Sequence, residues 1–127
     1  MYTKELMNHF SHPHNQGQIK SADGVGQVGN IRCGDIMKVY IKVKKNKKGE
    51  EYLDDVKFET LGCTAAIAAS SVLTDLAKGK TLKDSLAISK DDIVKELVSV
   101  PPLKYHCSIL AEEALKKAVE NYKKSKK

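Results

Sequence analysis

The 127 residues are enough for a single domain, 1–127, with a modest hydrophobic core. Hydrophobic residues make up 41%, no apolar run could span a membrane and the N-terminal MYTKELMNHF is charged, so we expect a soluble, cytoplasmic protein without a membrane partner. The net charge of +6 is concentrated in lysine blocks at 42–49 and 122–127, a predicted turn and a tail, and does not predict nucleic-acid binding.

The N-terminal third predicts little regular structure. TKELMNHF, residues 3–10, has the spacing of a short helix capped by Thr3 and ended by Pro13. The glycine-rich segment 24–35 predicts only a weak strand before a turn. Cys33 would then lie on a glycine-flanked loop.

Two strands follow, each with one apolar face. The apolar positions of the first are Met37, Val39, Ile41 and Val43, and those of the second are Val56, Phe58 and Thr60. The turn NKKG at 46–49 joins them, so we predict an antiparallel hairpin. Because Cys33 precedes the first strand and Cys63 follows the second, the hairpin would bring these two cysteines together.

The remainder predicts helices. Residues 64–79 are small and apolar, and 81–98 form a helical stretch that breaks near Ser89. The two prolines at 101–102 then extend the chain. A last helix with one broad apolar face is predicted from about Ser108.

The three cysteines are far apart and odd in number, so we expect reduced thiols rather than a disulfide framework. Cys63 and Cys107 are predicted at helix N-termini, where the positive end of the helix dipole favours the thiolate. Cys33 is followed two residues later by Asp35, and His106 precedes Cys107.

These residues offer three thiolates, one carboxylate and one imidazole from three loops. Four such ligands suit a zinc ion or a [2Fe-2S] cluster. A single buried cysteine is often only a small hydrophobic residue, Asp35 alone could be a turn carboxylate, and His106 alone a residue at a helix start. The set as a whole favours a metal site.

Three histidines, His9, His12 and His14, lie in HFSHPHN. They could bind a stray metal ion. A loop after a short helix explains them more simply, so no dedicated metal site is predicted there.

The segments RCGDIMKVYIKV, LGCTAAIAASS and PPLKYHCSILAEEAL resemble, in order and spacing, the three cysteine motifs of the IscU family. This family comprises iron-sulfur cluster assembly scaffolds related to the N-terminal domain of NifU. HFSHPHNQG also resembles the start of the family, so the resemblance covers the whole chain. It implies an α+β fold of the IscU/SufE type, with a small antiparallel three-stranded sheet packed against several helices and a cluster site at one end.

The resemblance further implies a scaffold and not an enzyme. Such a scaffold receives sulfur from a cysteine desulfurase and iron separately, holds a labile [2Fe-2S] or [4Fe-4S] cluster and transfers it to recipient apo-proteins. Cys33, Cys63 and Cys107 would be ligands, with Asp35 and His106 as candidates for the fourth place. Cys107 would also accept persulfide sulfur, zinc could occupy the apo form, and a homodimer is conceivable.

Two further expectations depend on the resemblance. The family's Leu-Pro-Pro-Val-Lys motif, which an Hsp70-type chaperone recognises, reads VPPLK here, Val100 to Lys104, with the two aliphatic residues interchanged. The resemblance implies chaperone binding at this segment, and an extended lead-in to the last helix is the alternative interpretation. Because the chain ends after the last predicted helix, we expect a stand-alone scaffold rather than a full-length NifU.

Two alternatives from other classes stay open. The first is a structural or regulatory zinc protein that uses the same Cys, Asp and His ligands. The second is a thiol hydrolase or sulfurtransferase with a Cys107–His106 dyad, for which the sequence shows no oxyanion-hole motif.

Overall fold

The computed structural model describes residues 2–30, 35–62, 64–98 and 106–125, and only the backbone of Asn30, Asp35 and His106. Its elements are α1 (Lys4–Ser11), β1 (Gly24–Asn30), β2 (Asp35–Lys45), β3 (Glu51–Leu61), α2 (Thr64–Ala77), α3 (Leu82–Ser85), α4 (Lys90–Glu96) and α5 (His106–Ser125). The strands form one antiparallel sheet in the order β1-β2-β3, which confirms the predicted α+β architecture. Within the described ranges, no helix is long and apolar enough to cross a membrane.

β2 and β3 form the hairpin that their alternating sequence predicts. Val39 pairs with Phe58 and Ile41 with Val56, and all four side chains are buried. A β-bulge shifts the register after Lys42. The apolar face of the hairpin is therefore the face against which α2 and α5 pack.

β1 is a better strand than its glycine content predicts. All seven of its residues pair with β2, from Gly24 opposite Ile41 to Asn30 opposite Asp35. A Cβ atom at Gly26 would fall on the backbone of α5. The glycines, which lower strand propensity, thus permit α5 to pack directly on β1.

Two predicted helix starts are confirmed by their caps. The Thr3 side chain accepts a hydrogen bond from the Leu6 N–H at 3.1 Å. Ser89 caps α4 in a capping box with Asp92, so the helical stretch breaks where the sequence predicts.

The predicted start of the last helix, about Ser108, is wrong by two residues. α5 begins at His106, which places Cys107 inside its first turn. The reason is that a proline disfavours helix in the residue before it and leaves the residues after it unrestricted.

The outer edge of β3 is covered at two points. Near its middle, the Gly17 N–H donates to the Phe58 carbonyl at 2.8 Å, and the Phe58 N–H donates to the Asn15 carbonyl at 3.0 Å. Toward its start, Tyr52 forms an isolated bridge with Thr81. Flanking segments thus occupy backbone groups that an edge strand otherwise leaves open.

The packing of α5 on β1 predicts that Gly26→Ala is severely destabilising. The new methyl group meets helix backbone, which cannot move aside as a side chain can, so we expect a loss of about 3 kcal/mol or more. Gly49→Ala is the matched control, because nothing lies within 4 Å of the added methyl group and only its φ of +82° is unfavourable. It should cost about 1 kcal/mol. Denaturant unfolding measures both, and equal losses would contradict the proposed packing role of Gly26.

Candidate functional site at the strand ends

One edge of the sheet gathers the ends of all three strands. β1 ends at Asn30, which pairs with Asp35, the first residue of β2. The next residue, Ile36, pairs with Leu61, the last residue of β3. We call this region the strand-end edge. α2 begins at Thr64, three residues beyond Leu61, so its N-terminus also lies near this edge.

α5 runs antiparallel to β1 and brings its own N-terminus to the same edge. Gly24 faces Ala118 and Tyr122, whereas Gly26 faces Ala114. From Gly26 to the end of β1, four strand residues span about 13 Å. From Ala114 back to the start of α5, eight helix residues span about 12 Å. The first turn of α5 therefore ends level with the strand-end edge.

The structure describes the predicted site residues to different extents. Cys33 and Cys63 lie outside the described residues. Asp35 opens β2 at the strand-end edge and His106 opens α5, both known by their backbone alone. Cys107 is fully described and its side chain is completely buried. The elements that carry or flank all five candidates thus converge, and direct contact between the ligands stays a prediction.

Ser108, beside Cys107, is a feature that the sequence does not single out. Its side chain is completely buried, and its Oγ has no hydrogen-bond partner among the described residues. A buried hydroxyl without a partner costs about 1–3 kcal/mol, and such groups often mark functional positions. The first turn of α5 therefore places a buried thiol and a buried hydroxyl next to each other.

The exposed face of the sheet forms a shallow depression next to the strand-end edge. Its lining consists of Gln27, Ile36, Lys38, Glu59, Thr60 and Leu61. Leu61 is 70% exposed, which is unusual for a large apolar side chain in a strand. An apolar contact point therefore lies two residues before Cys63.

A hydrogen-bonded pair fixes a negative charge on this face. The Tyr40 hydroxyl donates to the Glu59 carboxylate, and the Gln18 amide donates to the same group at 3.0 Å. These bonds, first that from Tyr40, hold the pKa of Glu59 below its ordinary value. Burial, and then the bond to Glu59, raise the pKa of Tyr40. Glu59 is thus ionised and held in place near the strand-end edge.

Two of the N-terminal histidines contact α2, far from this edge. His9 Nδ1 lies 2.7 Å from Ser71 Oγ, and His14 Nδ1 lies 2.5 Å from Asp75 Oδ2. Burial, and then His14, lower the pKa of His9. Asp75 follows the start of α2 by eleven positions, which is about 16 Å along the helix. The sequence did not connect Ser71 or Asp75 with the histidines.

Two lysines of the first lysine block, Lys42 and Lys44, form ion pairs on β2. Lys42 lies 3.7 Å from Asp23, and Lys44 lies 3.3 Å from Asp54. Both lysines are therefore partly neutralised by carboxylates.

The described residues form a small α+β domain, in which a helix-covered antiparallel sheet collects the ends of its strands and the start of α5 at one edge. Residues 1–127 match the family described as the NifU-like N terminal domain, and the chain belongs to this family.

Relatives of known name support the same assignment. The chain is 48% identical over 122 residues to the iron-sulfur cluster assembly scaffold protein IscU 1 of Archaeoglobus fulgidus, covering 96% of this chain and 76% of the relative. It is 46% identical over 128 residues to the iron-sulfur cluster assembly scaffold protein IscU of Buchnera aphidicola subsp. Acyrthosiphon pisum, covering 98% and 97%. These relatives are named as scaffolds and not as enzymes, in agreement with the sequence-based prediction.

A solved structure supports the fold. The N-terminal part of a nitrogen-fixing NifU-like protein from Brucella abortus superposes with a TM-score of 0.73 at 18% identity, covering 96% of this chain and 94% of that one. The three-stranded sheet with its helices is therefore shared with that protein.

Removing the Tyr40 hydroxyl should change how stability depends on pH. In Tyr40→Phe the pKa of Glu59 should rise toward its ordinary value, because the first cause of its lowering is lost. A carboxyl group whose pKa is lower in the folded than in the unfolded state stabilises the fold above its unfolded pKa and loses this effect as the pH falls. The variant should therefore lose less stability than the wild type between about pH 7 and about pH 4.

Two measurements check this expectation. Carbon-13 NMR of the Glu59 carboxyl group reports its pKa, and denaturant unfolding at both pH values reports stability. Tyr52→Phe is the control, since Tyr52 makes no bond to Glu59. An unchanged Glu59 titration in Tyr40→Phe would show that the hydrogen bond does not control this charge.

Proposed function

We propose that this chain is a scaffold on which an iron-sulfur cluster is assembled and from which the cluster passes to recipient apo-proteins. The observation that carries the proposal is the convergence of Asp35, the end of β3 and the first turn of α5 at the strand-end edge. Membership in the NifU-like N-terminal family supports it. The cluster, [2Fe-2S] or [4Fe-4S], is cargo in this proposal.

The proposed ligands are Cys33, Cys63 and Cys107, with Asp35 or His106 in the fourth place. Chain connectivity supports the set, because consecutive Cα atoms are about 3.8 Å apart. In the sequence, Cys63 directly precedes Thr64 and Cys33 precedes Asp35 by two residues, so a ligand role for both is compatible with the strand-end edge. Thiolates are the ligands that iron-sulfur clusters prefer.

Cys107 is proposed as the acceptor of sulfur from a cysteine desulfurase. Its thiolate would attack the terminal sulfur of the desulfurase persulfide, so that a new S–S bond forms at Cys107 and the desulfurase cysteine leaves as a thiolate, with no net oxidation. Because Cys107 is completely buried, this attack requires the first turn of α5 or its cover to move. Peptide mass spectrometry after sulfur transfer tests the role, and added sulfur only on Cys33 or Cys63 would contradict it.

Asp35 is proposed as the ligand that makes the cluster transferable. A carboxylate oxygen is a hard ligand and a poor match for iron bound to sulfide and thiolate. When an acceptor thiolate arrives, the bond to Asp35 should therefore be exchanged before any bond to cysteine.

The remaining proposals concern partners and location. We propose that an Hsp70-type chaperone binds Val100 to Lys104, a segment outside the described residues, and that zinc can occupy the apo form. A homodimer and a cytoplasmic location complete the proposal. Binding of a VPPLK peptide to such a chaperone tests the first proposal. Light scattering of the cluster-bound protein tests the homodimer, and cell fractionation tests the location.

Anaerobic reconstitution separates the scaffold from the zinc alternative. With ferrous iron and sulfide the chain should turn brown and hold about two irons per [2Fe-2S] cluster. Cys33→Ser and Cys63→Ser should lose the visible absorption, because each lacks one soft ligand. Iron and sulfide analysis with absorption spectra measures this. Failure of the wild-type chain to take up iron, with tight zinc binding through the same residues, would favour a zinc protein instead.

Replacing Asp35 should slow the release of the cluster. In Asp35→Ala, the ligand that should exchange first is missing, so transfer to an apo-ferredoxin should be at least about tenfold slower. This factor corresponds to a barrier that is higher by about 1.4 kcal/mol. Circular dichroism of the acceptor follows the transfer. Asp84→Ala, which removes an exposed carboxylate on α3, is the control and should transfer at the wild-type rate. A wild-type rate for Asp35→Ala, in a protein that still loads a cluster, would refute this role.

A further inference from the structure

We propose that His9, His14 and Asp75 form a second metal site, which binds a divalent first-row transition ion such as Zn²⁺. We call these three residues the histidine cluster. The proposal is independent of the scaffold function, because the cluster lies toward the far end of α2 from the strand-end edge.

The three side chains come from three segments and meet only in the folded protein. His9 is in the last turn of α1, His14 is in the following loop, and Asp75 is near the end of α2. One nitrogen of each ring and one carboxylate oxygen lie within 4.8 Å of one another. The two ring centroids are 4.8 Å apart, with the planes inclined at 55°. Small rotations of the side chains would bring these atoms around one ion.

Neighbouring groups hold each potential ligand in place. Ser71 is completely buried, and its Oγ accepts a hydrogen bond from the His14 N–H at 2.9 Å while it lies 2.7 Å from His9 Nδ1. The Asn15 amide donates to Asp75 Oδ1 at 2.9 Å. Hydrogen bonds of this kind orient the ligands in metal sites and raise their affinity, often by 10–100-fold.

The chemistry of the ligands selects the type of ion. Imidazole binds zinc, copper, iron and nickel, and zinc also accepts a carboxylate oxygen from Asp or Glu. Two histidines and one carboxylate are a recurrent ligand set for such metals. The side chains of His14 and Asp75 are 53% and 42% exposed, so an ion can enter from solvent and water can complete its coordination.

The same contacts could serve only to fasten the N-terminal loop to α2. In that case the hydrogen bonds His14–Asp75 and His9–Ser71 would be sufficient and no ion would bind. The two roles differ in their response to Asp75→Asn. The amide oxygen can still accept a hydrogen bond from His14, in exchange for the bond from Asn15, and is a much weaker metal ligand than a carboxylate.

Titration of the nitrogen-15-labelled chain with Zn²⁺ tests the proposal. Two-bond proton–nitrogen spectra resolve the imidazole nitrogens, so binding at the histidine cluster is distinguished from binding at the cysteines. One ring nitrogen each of His9 and His14 should shift and saturate together, whereas those of exposed His12 should not. Asp75→Asn and His14→Gln should weaken this binding by about 10–100-fold, and the matched control His12→Ala should leave it unchanged.

Further results of this titration would support or overturn the metal site at the histidine cluster. Cys33→Ser, which disables the proposed cluster site, should retain the shifts of His9 and His14, so failure of the scaffold proposal would leave this result intact. Absence of the shifts in the wild-type chain would overturn the proposal, as would equal Zn²⁺ affinity in folded Asp75→Asn. The wild-type spectra remain decisive if a variant fails to fold.

Discussion

The close approach of α5 to β1 is the contact on which the rest of the structure depends. Only residues without a Cβ allow helix backbone to lie on strand backbone at Gly24 and Gly26. This contact fixes the height of α5 along the sheet and so brings Cys107 level with the strand-end edge. A small core thereby brings elements that are distant in sequence to one edge of the sheet, and the position of α5 at that edge is determined by packing more than 10 Å away.

Much of the fold could be predicted from local patterns. The alternation along β2 and β3 and the caps Thr3 and Ser89 each follow from a physical rule that acts within a few residues, and all were confirmed. β1 was underestimated because its glycines count against a strand when it is considered alone. Their structural role becomes clear only from the packing of α5 on β1. Glycines that lower the strand propensity of β1 are therefore required for its packing against α5.

Prediction of the candidate site was limited in the same way, because some of its features depend on tertiary contacts. The order and spacing of the cysteine motifs predicted the elements that would meet, and the strand register supports that meeting. The complete burial of Cys107 and Ser108 could not be predicted, because burial depends on neighbours from the whole fold. Asp75 was missed for a related reason: it lies 61 residues from His14, and one aspartate on an alanine-rich helix suggests nothing but a solvated charge.

The covering of the β3 edge has a consequence for how these molecules behave at high concentration. A bare edge strand is a template on which a second chain can add a strand, and repeated addition leads to aggregates. Here the chain's own backbone occupies the edge at Phe58 and at Tyr52, so an incoming strand finds no continuous row of donors and acceptors. The segment carrying His14 and Asn15 thereby protects the molecule against self-association through this edge, whatever its other roles.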